Sequence, residues 1–337
     1  MAAFITDGGL SKSIRRRRRN RLIAVLLLTG LGLALGLGLG LGLGLRGADS
    51  SSDQENPGGD QGGPSPPSPP SWQPAVNTSW QIVLLNPLKL DPNHPIVTPN
   101  VDVYDIDLFD NTSNGTSTGT IDGLHQLGKK VVCYFSGGTF EPNRPDSDQF
   151  TAADIGQTVE GWPDEKWLDL KSTNVAAIMR DRIALAGKMG CDGIDPDNLD
   201  AYDNGGGGFH LTAQDSIDFI QKVLSPEASS YNLALGLKNA GAIVGSVLSL
   251  VQFSVNEQCV EYEECDSFVP FIKSGKPVFH IEYRGGEGNS QSVGTASWCG
   301  RDKAGTDISS FSTILKTMDL DGWAEYCDGS VYVTETN

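Results

Sequence analysis

Carboxylates are the residues of this chain whose type and spacing could do chemistry, and the most informative group follows a short apolar run. In Gly190-Cys191-Asp192-Gly193-Ile194-Asp195-Pro196-Asp197-Asn198-Leu199-Asp200-Ala201-Tyr202, a strand runs into a loop carrying three acids and an aromatic. Side chains two apart on a strand point the same way, so Asp195 and Asp197 share a face. Two carboxylates in one small space repel and raise at least one pKa, which costs stability unless the site uses it. A second apolar run, Phe253-Ser254-Val255-Asn256, delivers Glu257 at its end, beside Cys259. A third, Phe279-His280-Ile281, delivers Glu282 and Tyr283, while Lys238-Asn239 and Tyr134-Phe135-Ser136 end two more. Glycosidic bond cleavage needs such a set: one carboxyl protonates the leaving oxygen, one attacks the anomeric carbon, and aromatic faces stack on sugar rings.

The same residues have blander readings. The acids from Asp195 to Asp203 could hold calcium, but the EF-hand spacing fails because Leu199 occupies the fifth loop position and Asp200 the glycine position. Glu261, Glu263 and Glu264 read as a solvated run. Tyr134, Tyr202, Tyr283, Trp162 and Trp167 are candidate sugar platforms, with packing or rim structure as the competing role. The cysteine spacings match no zinc site.

The elements that would position these residues alternate. Candidate strands are residues 80–85, 101–106, 130–135, 191–196, 233–237, 251–255 and 277–283, with a last one near 331–333. Candidate helices at 121–127, 175–189 and 216–224 carry apolar residues at the 3.6-residue period. Strand and helix alternating over about 260 residues predict parallel βα units and an α/β fold, a (β/α)8 TIM barrel. In such a barrel the chemistry sits at the carboxyl ends of the strands. No glycine-rich nucleotide fingerprint follows residues 80–85, which disfavours the open dinucleotide-binding fold.

The N-terminal part differs in kind. Residues 22–45 contain no charge and only one hydroxyl, Thr29, and at about 1.5 Å per residue they reach roughly 36 Å, enough for a hydrocarbon core of about 30 Å. They predict one transmembrane helix. A cleaved signal peptide is the competing reading, but this apolar run is longer than usual and ends at Leu45-Arg46 without a small-residue cleavage site. Arg15 to Arg19 and Arg21 precede it, and positive residues stay cytoplasmic. Residues 1–21 are then a cytoplasmic tail, and everything after Arg46 lies outside, as in a single-pass type II protein of the plasma membrane. Residues 46–75 are Ser, Pro and Gly rich and predict a disordered, semi-rigid stalk before a folded domain at 76–337. Sequons at Asn77, Asn111 and Asn114 and six cysteines fit an extracellular, oxidising setting. Cys259 and Cys265 are close enough for a local disulfide, and Cys299 and Cys327 could staple the C-terminal part.

Charge narrows the partners. The chain carries −17 overall, but residues 48–337 hold 17 basic against 41 acidic residues, or −24. A nucleic-acid groove needs clustered Lys and Arg to replace phosphate counterions, so nucleic acid is excluded and a neutral or cationic partner is expected.

Several runs together resemble glycoside hydrolase family 114, the endo-α-1,4-polygalactosaminidases. They are residues 128–141 around Tyr134-Phe135-Ser136-Gly137-Gly138, residues 161–169 from Gly161-Trp162-Pro163, Asp192 to Asp200, Gly236-Leu237-Lys238-Asn239, Asn256-Glu257-Gln258-Cys259, and Gly275-Lys276-Pro277-Val278-Phe279. The likeness spans about residues 76–335 in consistent order. It implies a TIM barrel and an endo-acting, retaining hydrolase of α-1,4-linked galactosamine stretches in galactosaminogalactan, with Asp197 as nucleophile and Glu257 as acid/base. No cofactor or metal is implied. A cationic galactosamine polymer agrees with the acidic charge. Asp195, Asp200, Tyr202, Tyr134, Lys238, Asn239, Glu282 and Tyr283 are the candidate substrate contacts. More distant relatives resembling this segment carry an apolar residue at the Asp195 position. The alternative reading is a cell-surface protein that binds the amino-sugar polymer without cutting it.

Overall fold

The computed structural model describes residues 70–91, 93, 95–113, 116–283 and 296–337. The segments read as cytoplasmic tail and membrane helix, most of the stalk, and the Asn114 sequon lie outside the described residues. Among the described residues no helix is long and apolar enough to cross a membrane.

The main sheet contains eight parallel strands in chain order: β1 (Trp80–Val83), β2 (Val103–Asp107), β3 (Lys130–Ser136), β4 (Gly193–Asp197), β5 (Ala234–Lys238), β6 (Phe253–Glu257), β7 (Val278–Tyr283) and β8 (Ser312–Lys316). Two antiparallel strands, β9 (Trp323–Tyr326) and β10 (Val331–Val333), extend it to ten. The sheet curls until its ends meet. Trp80 Nε1 donates to Ser312 O at 2.7 Å, Ser312 Oγ to Thr78 O at 2.7 Å, and Leu84 N to Leu320 O at 2.9 Å. The result is an α/β barrel-like fold consistent with the TIM type.

Alternation along each strand produces two apolar layers. Trp80, Ile82, Val103, Val132, Phe253, Val255, Phe279, Ile281 and Ile314 form the inner one, with the Trp80 and Phe279 rings stacked 4.9 Å apart. Val83, Tyr104, Ile106, Val131, Phe135, Ile194 and Leu237 face outward onto the helices. Helix α1 (Thr120–Gln126) and helix α2 (Thr173–Met189) occupy predicted positions, and Ser172 caps α2 by accepting from Asn174 N and Val175 N. The predicted helix at 216–224 begins at Thr212 with a capping box to Asp215 and runs through a π-turn at Ile220–Leu224.

Three expectations are corrected. The eighth parallel strand is Ser312–Lys316, not the run near Val331–Val333, which pairs antiparallel and is exposed. Ser312-Thr313-Ile314-Leu315-Lys316 alternates too weakly to stand out from sequence, and its pairing to β7 decides it. An unpredicted three-stranded sheet, Thr139–Phe140, Ile155–Val159 and Trp162–Leu168, follows β3. The ordered domain also starts before residue 76. Ser71 N donates to Asn232 Oδ1 at 2.8 Å, and the Trp72 ring packs 6.3 Å from that of Phe253 on the inner layer.

All six cysteines pair: Cys133 with Cys191, Cys259 with Cys265, and Cys299 with Cys327. The last two are the expected bridges. Cys133–Cys191 ties β3 to the entry of β4.

Candidate active site

The inward parity of Asp195 and Asp197 holds because Ile194 packs into the outer layer. Asp197 ends β4, where the backbone turns at Asn198 with φ 63°. Gly137 N and Gly138 N both donate to Asp197 O, and a Cβ on Gly138 would lie 1.8 Å from Asn198 O. Only glycine fits there. Glu257 ends β6 in the same manner, with Gln258 at φ 61°. Left-handed residues therefore follow both acids and stop each strand where its carboxyl reaches the barrel mouth.

Between the acids lies Lys238, the last residue of β5. Its Nζ stands 2.9 Å from Asp197 Oδ2 and 3.3 Å from Glu257 Oε2, so the two oxygens are no more than 6.2 Å apart, the sum of those contacts. That bound on the two facing oxygens is compatible with the roughly 5 to 5.5 Å between the carboxyl groups of retaining pairs. The lysine side chain is 1% exposed, whereas those of Asp197 and Glu257 are 16% and 21% exposed. A substrate can reach the acids but not the ammonium. Burial alone would lower the pKa of Lys238; the carboxylates beside it, Asp197 first and then Glu257, outweigh it and hold the ammonium well above its ordinary value.

Each acid has further donors. Tyr134 OH donates to Asp197 Oδ2 at 3.0 Å, and Asn198 N to Asp197 Oδ1 at 2.7 Å. Tyr283 OH donates to Glu257 Oε1, Asn239 Nδ2 to Glu257 Oε2 at 3.0 Å, and Glu257 N to Asn239 Oδ1 at 2.8 Å. Burial would raise the pKa of Glu257, but Lys238, Tyr283 and Asn239 bring it below the usual carboxylate range. Tyr134, Lys238, Asn239 and Tyr283, expected as substrate contacts, thus hold the two acids.

The other candidates divide. Asp200 is half-buried at the cleft, pushed up to about 7 by burial and by Asp197. Asp195 is wholly buried, so it is not the substrate contact expected of it. Glu282 is also corrected: it faces away from the bore, where its Oε1 accepts from Val260 N at 2.7 Å and lies 2.9 Å from His280 Nε2. β7 presents Phe279, Ile281 and Tyr283 inward, which sends Glu282 outward. Tyr202 packs half-buried on the outer layer. Trp167 is 4% exposed and unavailable to a sugar, while Trp162 is 55% exposed. Asn77 is exposed, but Asn111 is buried with Nδ2 donating to Asp107 O at 2.9 Å, so in the folded chain that amide is not free for a glycan.

Sequence reasoning missed four acids and two arginines. Asp105 and Asp107 project inward from β2, Asp107 gripped by Arg144 at 3.0 and 2.7 Å. Arg144 also meets Glu141 at 2.8 Å. Glu165, on the added sheet, accepts from Thr139 Oγ1 at 2.9 Å; burial, Glu141 and Asp197 push it up to about 6. Arg182, buried on α2, donates to Ser136 O at 2.7 Å and holds the turn after β3. The alternation in Val103-Tyr104-Asp105-Ile106-Asp107 was the available signal for the β2 acids. Nothing local marks Glu165, whose place depends on the pairing of Trp162–Leu168 with Thr139–Phe140.

A curled parallel sheet with two reachable acids at the fourth and sixth strand ends, bridged by a buried ammonium, defines a barrel hydrolase of glycosidic bonds. The chain belongs to glycoside hydrolase family GH114, whose family model matches residues 63–332. Among solved structures it is similar to Aspergillus fumigatus Ega3 in complex with galactosamine, at 46% identity over 77% of this chain and 99% of that one, with a TM-score of 0.67. The glycoside hydrolase domain of PelA from Pseudomonas aeruginosa shares the fold, at 14% identity over 72% of this chain and 95% of that one, with a TM-score of 0.50. Comparison with curated proteins gave no match.

Proposed function

We propose that this glycoside hydrolase is an endo-acting, retaining enzyme that cuts α-1,4-linked galactosamine stretches of a galactosaminogalactan-type polymer. The carrying observation is the Lys238 bridge, which limits the Asp197–Glu257 oxygens to a separation suited to a covalent intermediate. Asp197 attacks the anomeric carbon; Glu257 protonates the leaving oxygen and then deprotonates the incoming water. A bound sugar excludes water, strengthens the burial effect on Glu257, and so raises it toward an acid's working range. The galactosamine bound by Ega3 and the surplus of acids around this cleft, Asp200 and Glu165 among them, support an amino-sugar substrate.

The same proposal places the chain at the plasma membrane as a single-pass type II protein. Residues 22–45 form the anchor, the following segment the stalk, and the (β/α)8 TIM barrel lies outside. The uncharged length of that segment, the arginines before it and three disulfides support this topology. Asn77 is the exposed glycan acceptor among the described sequons.

The test incubates the chain with deacetylated and with fully acetylated galactosaminogalactan and counts new reducing ends. Cleavage of the deacetylated polymer alone is expected, with Asp197→Asn and Glu257→Gln each reducing it by about 10² to 10⁴-fold or more. Binding without new reducing ends would select the non-catalytic reading, and full activity in both variants would remove these two residues from the chemistry.

A further inference from the structure

Below the acids that face the cleft lies a second pair that does not. Asp195 is 0% exposed and Asp105 1%, and both Asp195 oxygens and Asp105 Oδ1 lack any hydrogen-bond donor. An ionised carboxylate buried without donors is prohibitively costly, so such a group keeps its proton. The behaviour of Lys238 agrees. The contacts of its ammonium go to Asp197 and Glu257, and Asp195 receives none, although all four residues lie in the same bore.

We propose that Asp195 is a positioning residue of the catalytic pair: kept neutral beneath Lys238, it leaves that ammonium to bridge Asp197 and Glu257, and its ionisation draws the ammonium away from them. The inference rests on the roles given above to Asp197 and Glu257. Every charged neighbour acts in a known direction. Lys238 on β5 favours ionisation of Asp195; Asp197 on its own strand, Glu257 on β6 and Asp105 on β2 oppose it. Tyr134, the register partner of Asp195 on β3, gives its hydroxyl to Asp197 instead. Burial, the largest influence, pushes Asp195 up to about 8. Above that pH the bore gains a negative charge deeper than the catalytic pair, and Lys238 has a third anion to satisfy.

Two measurements on the full chain test this. Infrared pH-difference spectra of the wild type should show a protonated carboxyl C=O band at neutral pH that bleaches near pH 8 and is missing in Asp195→Asn. The pH profiles of kcat for wild type and Asp195→Asn, each scaled to its own value at about pH 6, should share one shape up to about pH 7, with an additional fall above about 8 in the wild type alone. Superimposable profiles throughout, or a variant as inactive as Asp197→Asn at every pH, would overturn the proposal. If Asp195→Asn does not fold, Asp195→Leu takes its place, because Asp105 and Asp200 also carry protons near neutrality; a band bleaching near pH 8 that persists unchanged in that variant overturns the proposal. The infrared result does not depend on turnover, so failure of the hydrolase reading and failure of this one are separable.

Discussion

At the residue scale, the candidate site is organised by one ammonium between two carboxylates. The bridge made by Lys238 is possible because β5 lies between β4 and β6. Replacing it in Lys238→Met leaves Asp197 and Glu257, both partly exposed, facing each other without their cation, which costs up to about 3 to 5 kcal/mol. Chemical denaturation at about pH 7 should show that loss, and unchanged stability would contradict the bridge. The Tyr283 hydroxyl is a lesser support. Tyr283→Phe removes one donor from Glu257, and a hydrogen bond to a charged group is worth about 1.5 to 3 kcal/mol, so kcat should drop by roughly ten- to a hundredfold without unfolding. An unchanged kcat would show that Asn239 and Lys238 suffice.

At the element scale, the strand ends are held by turns, two disulfides and Arg182. Cys133–Cys191 closes a loop of 58 residues between β3 and β4, and by chain entropy a loop of that length is worth about 4 kcal/mol. The double variant Cys133→Ala/Cys191→Ala should lose about that much in urea unfolding. Cys259–Cys265 spans only 6 residues but starts two positions after Glu257. Its use is local, fixing the turn that aims that acid. Most strands were legible because β-branched and aromatic runs alternate with helical periods. The eighth strand and the added sheet were not, because Ser312–Lys316 and Trp162–Leu168 become strands through long-range pairing that no local pattern announces.

At the scale of the whole molecule, charge sets the response to pH and salt. Asp195, Asp200 and Glu165 sit at about 8, 7 and 6, above the unfolded values of about 3.9 for Asp and 4.3 for Glu. The folded chain therefore binds more protons than the unfolded one between about pH 4 and 8, and their effect makes stability fall as pH rises through that window. Asp154 works oppositely. Donors from Ser172, Asn174 and Thr151 outweigh burial and hold it at about 2, so its contribution is complete above about pH 4 and is lost below. Melting temperature should peak near pH 4 to 5 and be lower at pH 8; a maximum above pH 7 would contradict these assignments. The −24 charge of residues 48–337 would draw a cationic polymer from a distance. KM for deacetylated polymer should rise between 0.05 and 0.5 M salt, roughly following the shorter screening length, with kcat changing less.

The linear sequence by itself determined the class of fold, the shared direction of Asp195 and Asp197, the strand end that carries Glu257, and the Cys259–Cys265 disulfide. Those features are local: strand alternation sends Asp195 and Asp197 the same way, and a strand end puts Glu257 at a barrel mouth whatever lies beside it. Tertiary structure alone decided which acid opens onto the cleft and which is sealed from it. Asp195 and Asp197 differ by one step of the pleat, yet one is wholly buried without a donor and the other is reachable and held by Lys238. That difference arises from depth in the bore and from neighbours on β2, β3, β5 and β6, which come together only when the sheet closes. Glu282 shows the same limit, since inward and outward positions on β7 alternate and only the packing of Phe279 and Ile281 against the inner layer decides which set is which.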